Sequence, residues 1–263
     1  MNSINKTLYI PLYGKSFVSE KGIILKDPKA EEIWNKEQFK LKGKSKSKWL
    51  SYYMGIRSAV FDEWLKEQIT KYPDAVVVHI GCGMDSRVLR VGANNHYWFD
   101  VDFTEVINER KKYYIEDEHY KMINGDVRES DWLTKVSYNK HAIVVMEGIS
   151  MYLTNLELKK LISNIGNHFD SVSLLMDCYS LFAEKMSKCK NPVKDVGVAK
   201  VYGVDNPKVI VDNNVLFKKE HEMTPDKYIE ELQGFEKFVF KKLYAGKLSK
   251  KLYKLYEFEK ILN

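Results

Sequence analysis

The sequence predicts an α/β fold with a doubly wound, mostly parallel sheet, and three observations lead to it. Short apolar segments alternate with helix-like segments through the middle of the chain, which is typical of βαβ units. The β-branched run VVVHI at 76–80 passes directly into a turn with Gly81 and Gly83, where the absence of a Cβ allows a sharp bend and a close ligand. Asp100 and Asp102 end a second strand-like run about 20 residues later, where nucleotide-binding units place a carboxylate for ribose hydroxyls.

Five strands and three helices are predicted in the core. The strands, each short, apolar and bounded by polar or turn residues, are 75–80, 96–101, 120–124, 141–147 and 172–178. The helices are 55–72, 104–116 and 155–168. The last helix follows Thr154, a suitable N-cap, and Glu157 three residues later completes a capping-box pattern.

The remaining segments fit a single domain of residues 1–263 with additions to the core. Its predicted parts are an N-terminal helical cap at 1–72, a cofactor-binding core at 73–188, an insertion at 189–223 and a C-terminal part of the core at 224–263. The insertion breaks the alternation with prolines and glycines, so we expect it to carry substrate contacts or a lid. In the tail, PDKYIEELQ predicts a helix, whereas KLYKLYEFE fits a strand by its period of two or a helix by its leucines.

Composition sets limits on the class of protein. With 263 residues and 44% hydrophobic content, the chain can bury the core of one α/β domain. No apolar run is long enough to span a membrane, and MNSINKTLYI lacks the apolar region of a signal peptide. Three cysteines without CxxC spacing favour neither a disulfide framework nor a zinc ribbon. We therefore expect a cytoplasmic protein without a bound metal.

The chain is moderately basic. Its 42 Lys and Arg against 36 Asp and Glu give a formal charge of +6, concentrated at 40–48 and 237–260. Lysine runs attract nucleic acid or anionic lipid, but a solvated loop and an amphipathic helix face account for them equally well. We expect no nucleic-acid or membrane partner; the positive potential favours acidic small molecules.

The glycine turn departs from the dinucleotide pattern G-x-G-x-x-G. Ser86 stands at the position of the third glycine, and Asp85 precedes it. A carboxylate next to a pyrophosphate would be repelled, which favours a cofactor without phosphates, such as S-adenosylmethionine. An ordinary tight strand-to-helix turn is the alternative interpretation of this segment.

Four ordered motifs resemble those of a known family. GCGMDSR, FDVDFTEVINER, GDVRESDWL and MEGISMYL are similar to successive motifs of the leucine carboxyl methyltransferase family, in particular its tetracenomycin-type polyketide O-methyltransferases. The resemblance extends to LYIPLYGKSFVSEKGIILKDPKA and SYYMGIRSAVFDEWL and covers roughly residues 8–180. It implies a class I, Rossmann-like methyltransferase fold and S-adenosylmethionine as cofactor.

The resemblance also implies roles for the N-terminal cations and the strand-two carboxylates. Lys15 and Arg57 match positions that hold the methionine carboxylate, which an arginine can bind through two hydrogen bonds; the alternative is that both are surface cations. Asp102 matches the ribose ligand. Asp100, on the same strand face, could share or replace that role.

Residues after the third and fourth strands complete the expected site. Asp126 and the backbone of Val127 match the region that contacts adenine, and Arg128 is expected to lock this loop through an ion pair. Glu147 follows five apolar residues, so a ligand or a structural cation is expected beside it, since an unpaired buried carboxylate is costly; a helix-capping role is the alternative. Tyr152 could line the methyl-transfer pocket.

Other reactive residue types have simpler interpretations. His79 lies inside the first strand and is expected to be a core residue bonded to backbone. Cys82 lies between two glycines, where its small size suits a tight turn. A set of N-terminal tyrosines could roof a substrate cavity or pack the helices on the sheet: Tyr9, Tyr13, Tyr52 and Tyr53.

These inferences predict an S-adenosylmethionine-dependent O-methyltransferase that acts on a carboxylate or hydroxyl of a small molecule. Carboxylates are ionised near neutrality and need no general base, whereas phenols usually need one. The alternatives are a protein C-terminal carboxyl methyltransferase, an NAD-dependent oxidoreductase and a non-catalytic module that retains the cofactor site.

Overall fold

A seven-stranded sheet runs through the centre of the computed structural model, which describes residues 8–37, 39, 41, 43–92, 96–137, 141–187 and 200–261. The strands are β1 (Val76–Ile80), β2 (Trp98–Asp102), β3 (Tyr120–Asn124), β4 (His141–Met146), β5 (Ser171–Tyr179), β6 (Leu216–His221) and β7 (Tyr253–Lys260).

The order of the strands defines where a ligand can bind. It is β3-β2-β1-β4-β5-β7-β6, with β1 to β5 parallel and β7 antiparallel to both β5 and β6. From β1 the chain proceeds outward to β2 and β3, and then returns to place β4 on the other side of β1. This reversal opens a crevice at the carboxyl ends of β1 and β4, the usual ligand position in open α/β sheets.

Helices cover both faces of the sheet. They are α1 (Tyr9–Glu20), α2 (Pro28–Glu37), α3 (Lys48–Lys71), α4 (Arg87–Val91), α5 (Thr104–Arg110), α6 (Asn155–His168), α7 (Leu181–Ser187), α8 (Asp226–Ile229), α9 (Gly234–Leu243) and α10 (Lys247–Leu252). None of the described helices is both long enough and apolar enough to cross a membrane.

Alternating side chains of the strands contribute to two apolar cores, one on each face of the sheet. On β1, Val77 packs with α3 residues such as Phe61, while Val76 and Val78 pack on the opposite face with α6 residues such as Leu158. Successive strand residues point to opposite faces, and a parallel sheet covered on both faces buries both sets. The helix α3 is buried around most of its circumference, because it lies between the sheet and the N-terminal helices.

The predicted core agrees closely with the structure. All five predicted strands are present within two residues of their predicted ends, and 120–124 and 155–168 match their elements without any shift. Thr154 and Glu157 form the predicted capping box, in which Glu157 N–H donates to the threonine hydroxyl at 3.2 Å. Local propensity and capping chemistry therefore sufficed for these elements.

Two helix boundaries were predicted wrongly, and one ambiguous segment is resolved. The predicted helix 55–72 begins seven residues earlier, at Lys48, and the predicted helix 104–116 ends at Arg110. KLYKLYEFE divides between α10 and β7, so each of the two interpretations was right for one part.

The end of the segment expected to be an insertion is part of the sheet. Residues 216–221 form the edge strand β6. This strand pairs with β7, which lies more than 30 residues away in the sequence. No local sequence pattern therefore predicted β6. Residues 189–199, the first part of the predicted insertion, lie outside the described residues.

Candidate functional site

A cavity of about 420 Å³ lies at the carboxyl ends of the parallel strands. Its lining includes every residue predicted to bind cofactor and the predicted pocket tyrosine: Lys15, Arg57, Gly81, Gly83, Asp102, Asp126, Val127, Glu147 and Tyr152. These residues come from the N-terminal helices and from the ends of four strands. The fold therefore brings the predicted set together in one place.

The glycine turn forms the floor of this cavity. Gly81 and Gly83 have φ of 68° and 51°, in the left-handed region that disfavours side chains. A Cβ at Gly81 would lie only 2.1 Å from Cγ2 of Ile149. Glycine is thus required at position 81 by both conformation and space, and the bare turn keeps the cavity open.

Asp102 closes the turn from the end of β2. Its Oδ2 accepts a hydrogen bond from Gly83 N–H and its Oδ1 one from Phe103 N–H, both at 2.8 Å. Burial raises the pKa of Asp102 to about 6, against these two bonds, which lower it. Two backbone donors leave further lone pairs on the oxygens, so the carboxylate can accept additional hydrogen bonds.

Asp100 lies deeper on the same strand and has a structural role. It accepts hydrogen bonds from Trp98 Nε1 at 2.8 Å and from Tyr120 Oη at 2.6 Å, and it is ion-paired with Arg110. Burial disfavours its charged form, but Arg110 lowers its pKa to about 2. The alternative that Asp100 replaces Asp102 at the ribose is therefore not supported, because Asp100 is fully buried and does not line the cavity.

His79 is a buried core residue, as predicted, but its ring nitrogens face charged side chains and not the backbone. Its Nε2 accepts from Arg87 Nη1 at 3.2 Å, and its Nδ1 lies 3.3 Å from Asp100 Oδ1. Burial lowers its pKa. His79 therefore lies between two buried ionic groups, and burial favours its neutral form.

Glu147 has the cationic partners that the sequence led us to expect. Its Oε1 accepts from Arg57 Nε at 2.9 Å and from Ser58 Oγ at 3.1 Å, and Arg87 bonds to Oε2. Burial opposes ionisation, but the two arginines lower the pKa of Glu147 to about 2. Arg57 also donates from Nη1 to Asp177 Oδ2 at 3.1 Å. Arg57 is thus buried between two strand ends and is not a surface cation.

A second set of ion pairs connects the turn to the N-terminal cap. Lys15 Nζ lies 3.0 Å from Asp85 Oδ2, and Arg90 Nη1 donates to Asp85 Oδ1 at 2.7 Å. Arg87 donates from Nε to Asp62 Oδ1 at 2.7 Å. Lys15 is buried, which excludes the surface-cation interpretation. Since Asp85 is held by cations, its repulsion of a pyrophosphate is weaker than the sequence suggested.

The charges and lone pairs of the site fit S-adenosylmethionine. The connected buried groups comprise four cations and five carboxylates, one formal negative charge in excess: Lys15, Arg57, Arg87 and Arg90 with Asp27, Asp62, Asp85, Glu147 and Asp177. A cofactor with a net positive charge balances this excess. The open lone pairs of Asp102 suit ribose hydroxyls, and the glycine turn leaves room for the nucleoside.

The loop after β3 is closed by a local ion pair. Arg128 donates from Nε to both oxygens of Asp126, at 2.9 and 3.0 Å, as predicted for Arg128. The carboxylate of Asp126 lines the cavity but is already bonded, which leaves it fewer lone pairs for an adenine amine than the sequence suggested. Of the two interpretations of the N-terminal tyrosines, packing of the helices is the correct one, since Tyr9, Tyr52 and Tyr53 belong to the apolar core and none of the four lines the cavity.

The sequence analysis did not identify several members of the ionic network. Asp177 ends the buried run SVSLLM of β5, just as Glu147 follows the apolar run of β4; the same pattern could have identified it. Asp27, Asp62 and Arg90 gave no comparable signal, because their pairing depends on how α3 packs against the turn.

A larger, more open groove of about 1340 Å³ lies on the other side of this network, beside α2 and α3. Asp62 and Arg90 line it, but none of the residues predicted to bind cofactor does. The predicted cofactor residues therefore line the smaller cavity, where the strand ends and the glycine turn meet.

The fold and the site define the class first: an α/β protein with a candidate nucleoside-cofactor site at the switch point of a mostly parallel sheet. Two solved structures share this fold. Magnesium protoporphyrin IX methyltransferase from Synechocystis, with S-adenosylhomocysteine bound, is 9% identical with a TM-score of 0.52, covering 94% of this chain and 97% of its own. A putative methyltransferase from Thermobifida fusca is 10% identical with a TM-score of 0.54, covering 81% and 83%.

Sequence comparisons identify the family. The family model described as leucine carboxyl methyltransferase matches residues 4–166. The tetracenomycin polyketide synthesis O-methyltransferase of Streptomyces glaucescens is 28% identical over 70% of this chain and 69% of its own length. An S-adenosyl-L-methionine-dependent methyltransferase of Gibberella zeae is 31% identical over 48% of this chain and 45% of its own.

The chain belongs to the leucine carboxyl methyltransferase family. It is an S-adenosylmethionine-dependent methyltransferase with a Rossmann-like class I fold, as the four motifs predicted. An NAD-dependent oxidoreductase is thereby excluded.

Proposed function

We propose that this methyltransferase transfers a methyl group to an oxygen, either carboxylate or hydroxyl, of a small molecule. The observation that carries the proposal is that the cavity lined by the predicted cofactor residues is also lined by three tyrosines and a lysine, Tyr152, Tyr179, Tyr253 and Lys200. The Streptomyces relative, an O-methyltransferase of polyketide synthesis, supports an oxygen acceptor.

The side chains that would hold the cofactor include members of the buried ion-pair network. Asp102 would accept hydrogen bonds from the ribose hydroxyls, and Asp126 with the backbone of Val127 would contact the adenine. Lys15 and Arg57 would hold the methionine carboxylate. Among the described residues, hydrogen bonds account for Nε and Nη1 of Arg57, which leaves Nη2 available. When bound, S-adenosylmethionine supplies an electrophilic methyl group on a sulfonium.

The lining residues favour an acceptor oxygen that is already ionised. Burial raises the pKa of Tyr179 and that of Tyr253, so both phenols stay neutral and act as hydrogen-bond donors. The pKa of His79 is lowered, and its Nε2 is occupied by Arg87. Since these three groups are unsuited to act as a general base, the acceptor that we propose is a carboxylate or an acidic phenol. The contribution of the protein is then positioning and exclusion of water.

Two measurements test the proposal in sequence. Calorimetric titration should show that S-adenosylhomocysteine binds and NAD does not. Transfer of radiolabelled methyl is then measured with a panel of aromatic carboxylates, phenols, aliphatic amines and a peptide with a free carboxyl terminus. Transfer to small carboxylates or phenols supports the proposal. Transfer only to the amines, or only to the peptide, would overturn it and leave the cofactor assignment intact.

The role of Arg57 needs a conservative variant. In Arg57→Ala, Glu147 and Asp177 would lose a buried partner, so a loss of binding would be confounded by about 3–5 kcal/mol of destabilisation. Arg57→Lys keeps the charge and loses the planar fork. We expect it to fold and to weaken S-adenosylhomocysteine binding by about 1–2 kcal/mol, as for one charge-assisted hydrogen bond. Unchanged binding would remove Arg57 from the cofactor site.

A further inference from the structure

We propose that the acceptor subsite selects aromatic molecules that carry an anionic group besides the oxygen to be methylated, and that Lys200 is the residue that recognises this charge. The inference rests on the proposed function, because it concerns the same cavity and its second ligand.

The first observation is the pairing of the cations that line the cavity. Among the described residues they number four, and three of them have carboxylate partners: Lys15 with Asp85, Arg57 with Glu147 and Asp177, and Arg128 with Asp126. No described carboxylate lies within ion-pair distance of Lys200, whose Nζ lies 4.8 Å from the ring centroid of Tyr202. Its charge is available to a ligand.

The backbone around Lys200 is fixed relative to the cavity. Tyr202 N–H donates to the carbonyl of Met151 at 2.9 Å, and Val204 N–H donates to the carbonyl of Tyr179 at 2.6 Å. Val201 is buried against Met151 and Tyr179. Two hydrogen bonds and an apolar anchor therefore hold the base of the Lys200 side chain next to cavity-lining residues.

A neutral hydrogen-bond donor lines the same cavity as this cation. Tyr253 Oη donates to Tyr179 Oη at 2.8 Å, so the hydroxyl hydrogen of Tyr179 is free to point elsewhere. Tyr179 is buried and lines the cavity. An ammonium group and a phenol donor together suit a carboxylate, sulfonate or phenolate oxygen.

Five apolar side chains and one tyrosine form a further part of the cavity lining. They are Ile10, Pro11, Met54, Met151, Tyr152 and Leu153. Such walls favour a flat apolar body over a sugar or an aliphatic amino acid. The occupant that matches walls and charge together is an aromatic anion.

The anionic group that binds Lys200 is different from the oxygen that is methylated. An ammonium partner withdraws electron density from an oxygen and lowers its nucleophilicity, and methylation of a paired carboxylate would abolish the ion pair. A second anionic group avoids both costs. The product therefore keeps a negative charge at Lys200 after methyl transfer.

The test uses two probes of the same shape, 2-naphthoate and 2-naphthamide, titrated into protein saturated with S-adenosylhomocysteine and followed by calorimetry and ligand-observed NMR. The parent protein should prefer the naphthoate by about three- to tenfold, as expected for a partly exposed ion pair. Lys200→Met should abolish the preference without weakening naphthamide binding, and Lys200→Arg should largely restore it. Tyr179→Phe should reduce it in part.

Lys208→Met is the matched control, because Lys208 is an exposed lysine of the same segment that does not line the cavity; it should behave like the parent. Equal binding of the two probes by the parent, or an equal loss of both in Lys200→Met, would overturn the inference. Failure of S-adenosylhomocysteine to bind would instead refute the proposed function, so the two failures are distinguishable.

Discussion

Asp102 is the residue where the structure makes the sharpest prediction about cofactor binding. Asp102→Asn keeps the shape but turns one acceptor oxygen into a donor, so two ribose hydroxyls can no longer be held. We expect S-adenosylhomocysteine affinity to fall by about 1.5–3 kcal/mol, roughly ten- to a hundredfold, by calorimetric titration. The unliganded melting temperature should change little, because removal of a costly buried charge offsets the weakened bond to one backbone N–H.

Asp100→Asn is the matched control and should show the opposite pattern. Asp100 is paired with Arg110 and is fully buried, so its neutralisation leaves a buried guanidinium without its counter-charge. We expect a lowered melting temperature and nearly normal affinity in protein that remains folded. A larger affinity loss at Asp100 than at Asp102 would transfer the ribose contact to Asp100.

The raised pKa of Asp102 predicts a pH dependence of cofactor binding. Because its folded-state pKa is about 6, the unliganded protein takes up this proton before the unfolded chain does as pH falls. The resulting stability is fully present below the unfolded pKa near 4 and is lost as pH rises through 6. In the proposed complex, the ribose hydroxyls would bind the ionised form of Asp102.

S-adenosylhomocysteine affinity should therefore rise with pH up to about 6 and then level off, with proton release on binding near pH 6. Calorimetry in buffers of different ionisation enthalpy measures that proton. Asp177, whose pKa burial also raises, stays in Asp102→Asn, so this variant isolates the effect of Asp102. An unchanged pH profile in the variant would assign the proton to another group.

At the scale of elements, the turn between β1 and α4 depends on Gly81 for two separable reasons. Gly81 and Gly92 both have positive φ, 68° and 72°, but only at Gly81 would a Cβ meet a neighbour, at 2.1 Å. Gly92→Ala should cost about 1–2 kcal/mol from the left-handed conformation alone.

Gly81→Ala should cost about 1–3 kcal/mol more, from the steric overlap with Ile149. Chemical denaturation of both variants measures the difference. Adding Ile149→Ala to Gly81→Ala should recover part of the loss, and equal destabilisation by Gly81→Ala and Gly92→Ala would show that the turn adapts to a side chain.

At the scale of the whole molecule, the C-terminal strand is integral to the core. The strand β7 lies between β5 and β6, and Phe258 at its centre is fully buried in the core cluster under α6. Phe258→Ala should cost about 3–5 kcal/mol, which corresponds to roughly 6–20 °C in melting temperature.

Phe235→Ala provides the comparison, because the Phe235 side chain on α9 is 77% exposed. It should change stability by less than about 0.5 kcal/mol. Similar melting temperatures for the two variants would show that β7 is dispensable.

The success of the sequence analysis varied with how local each feature is. The turn with Gly81, the carboxylate of Asp102 and the capping box of Thr154 each depend on a few neighbouring residues, and their types reported the backbone conformation directly. The partners of His79 were predicted wrongly because Arg87 and Asp100 reach it only after the strand and helix have formed. The edge strand β6 was missed because it pairs with residues far along the chain.

By itself, the sequence determined which strands and helices follow one another along the core, the family, and a set of residues that line the cavity. It could do so because apolar periodicity, turn chemistry and ordered motifs are properties of short segments. Only the tertiary structure decided how those residues are paired. It showed that Glu147, Arg57 and Asp177 share one buried network, that Asp100 is structural while Asp102 keeps open lone pairs, and that Lys200 has no described carboxylate partner. Ion pairing between distant segments depends on how α3 and the C-terminal strands pack, and the resulting distances cannot be predicted from a local sequence pattern.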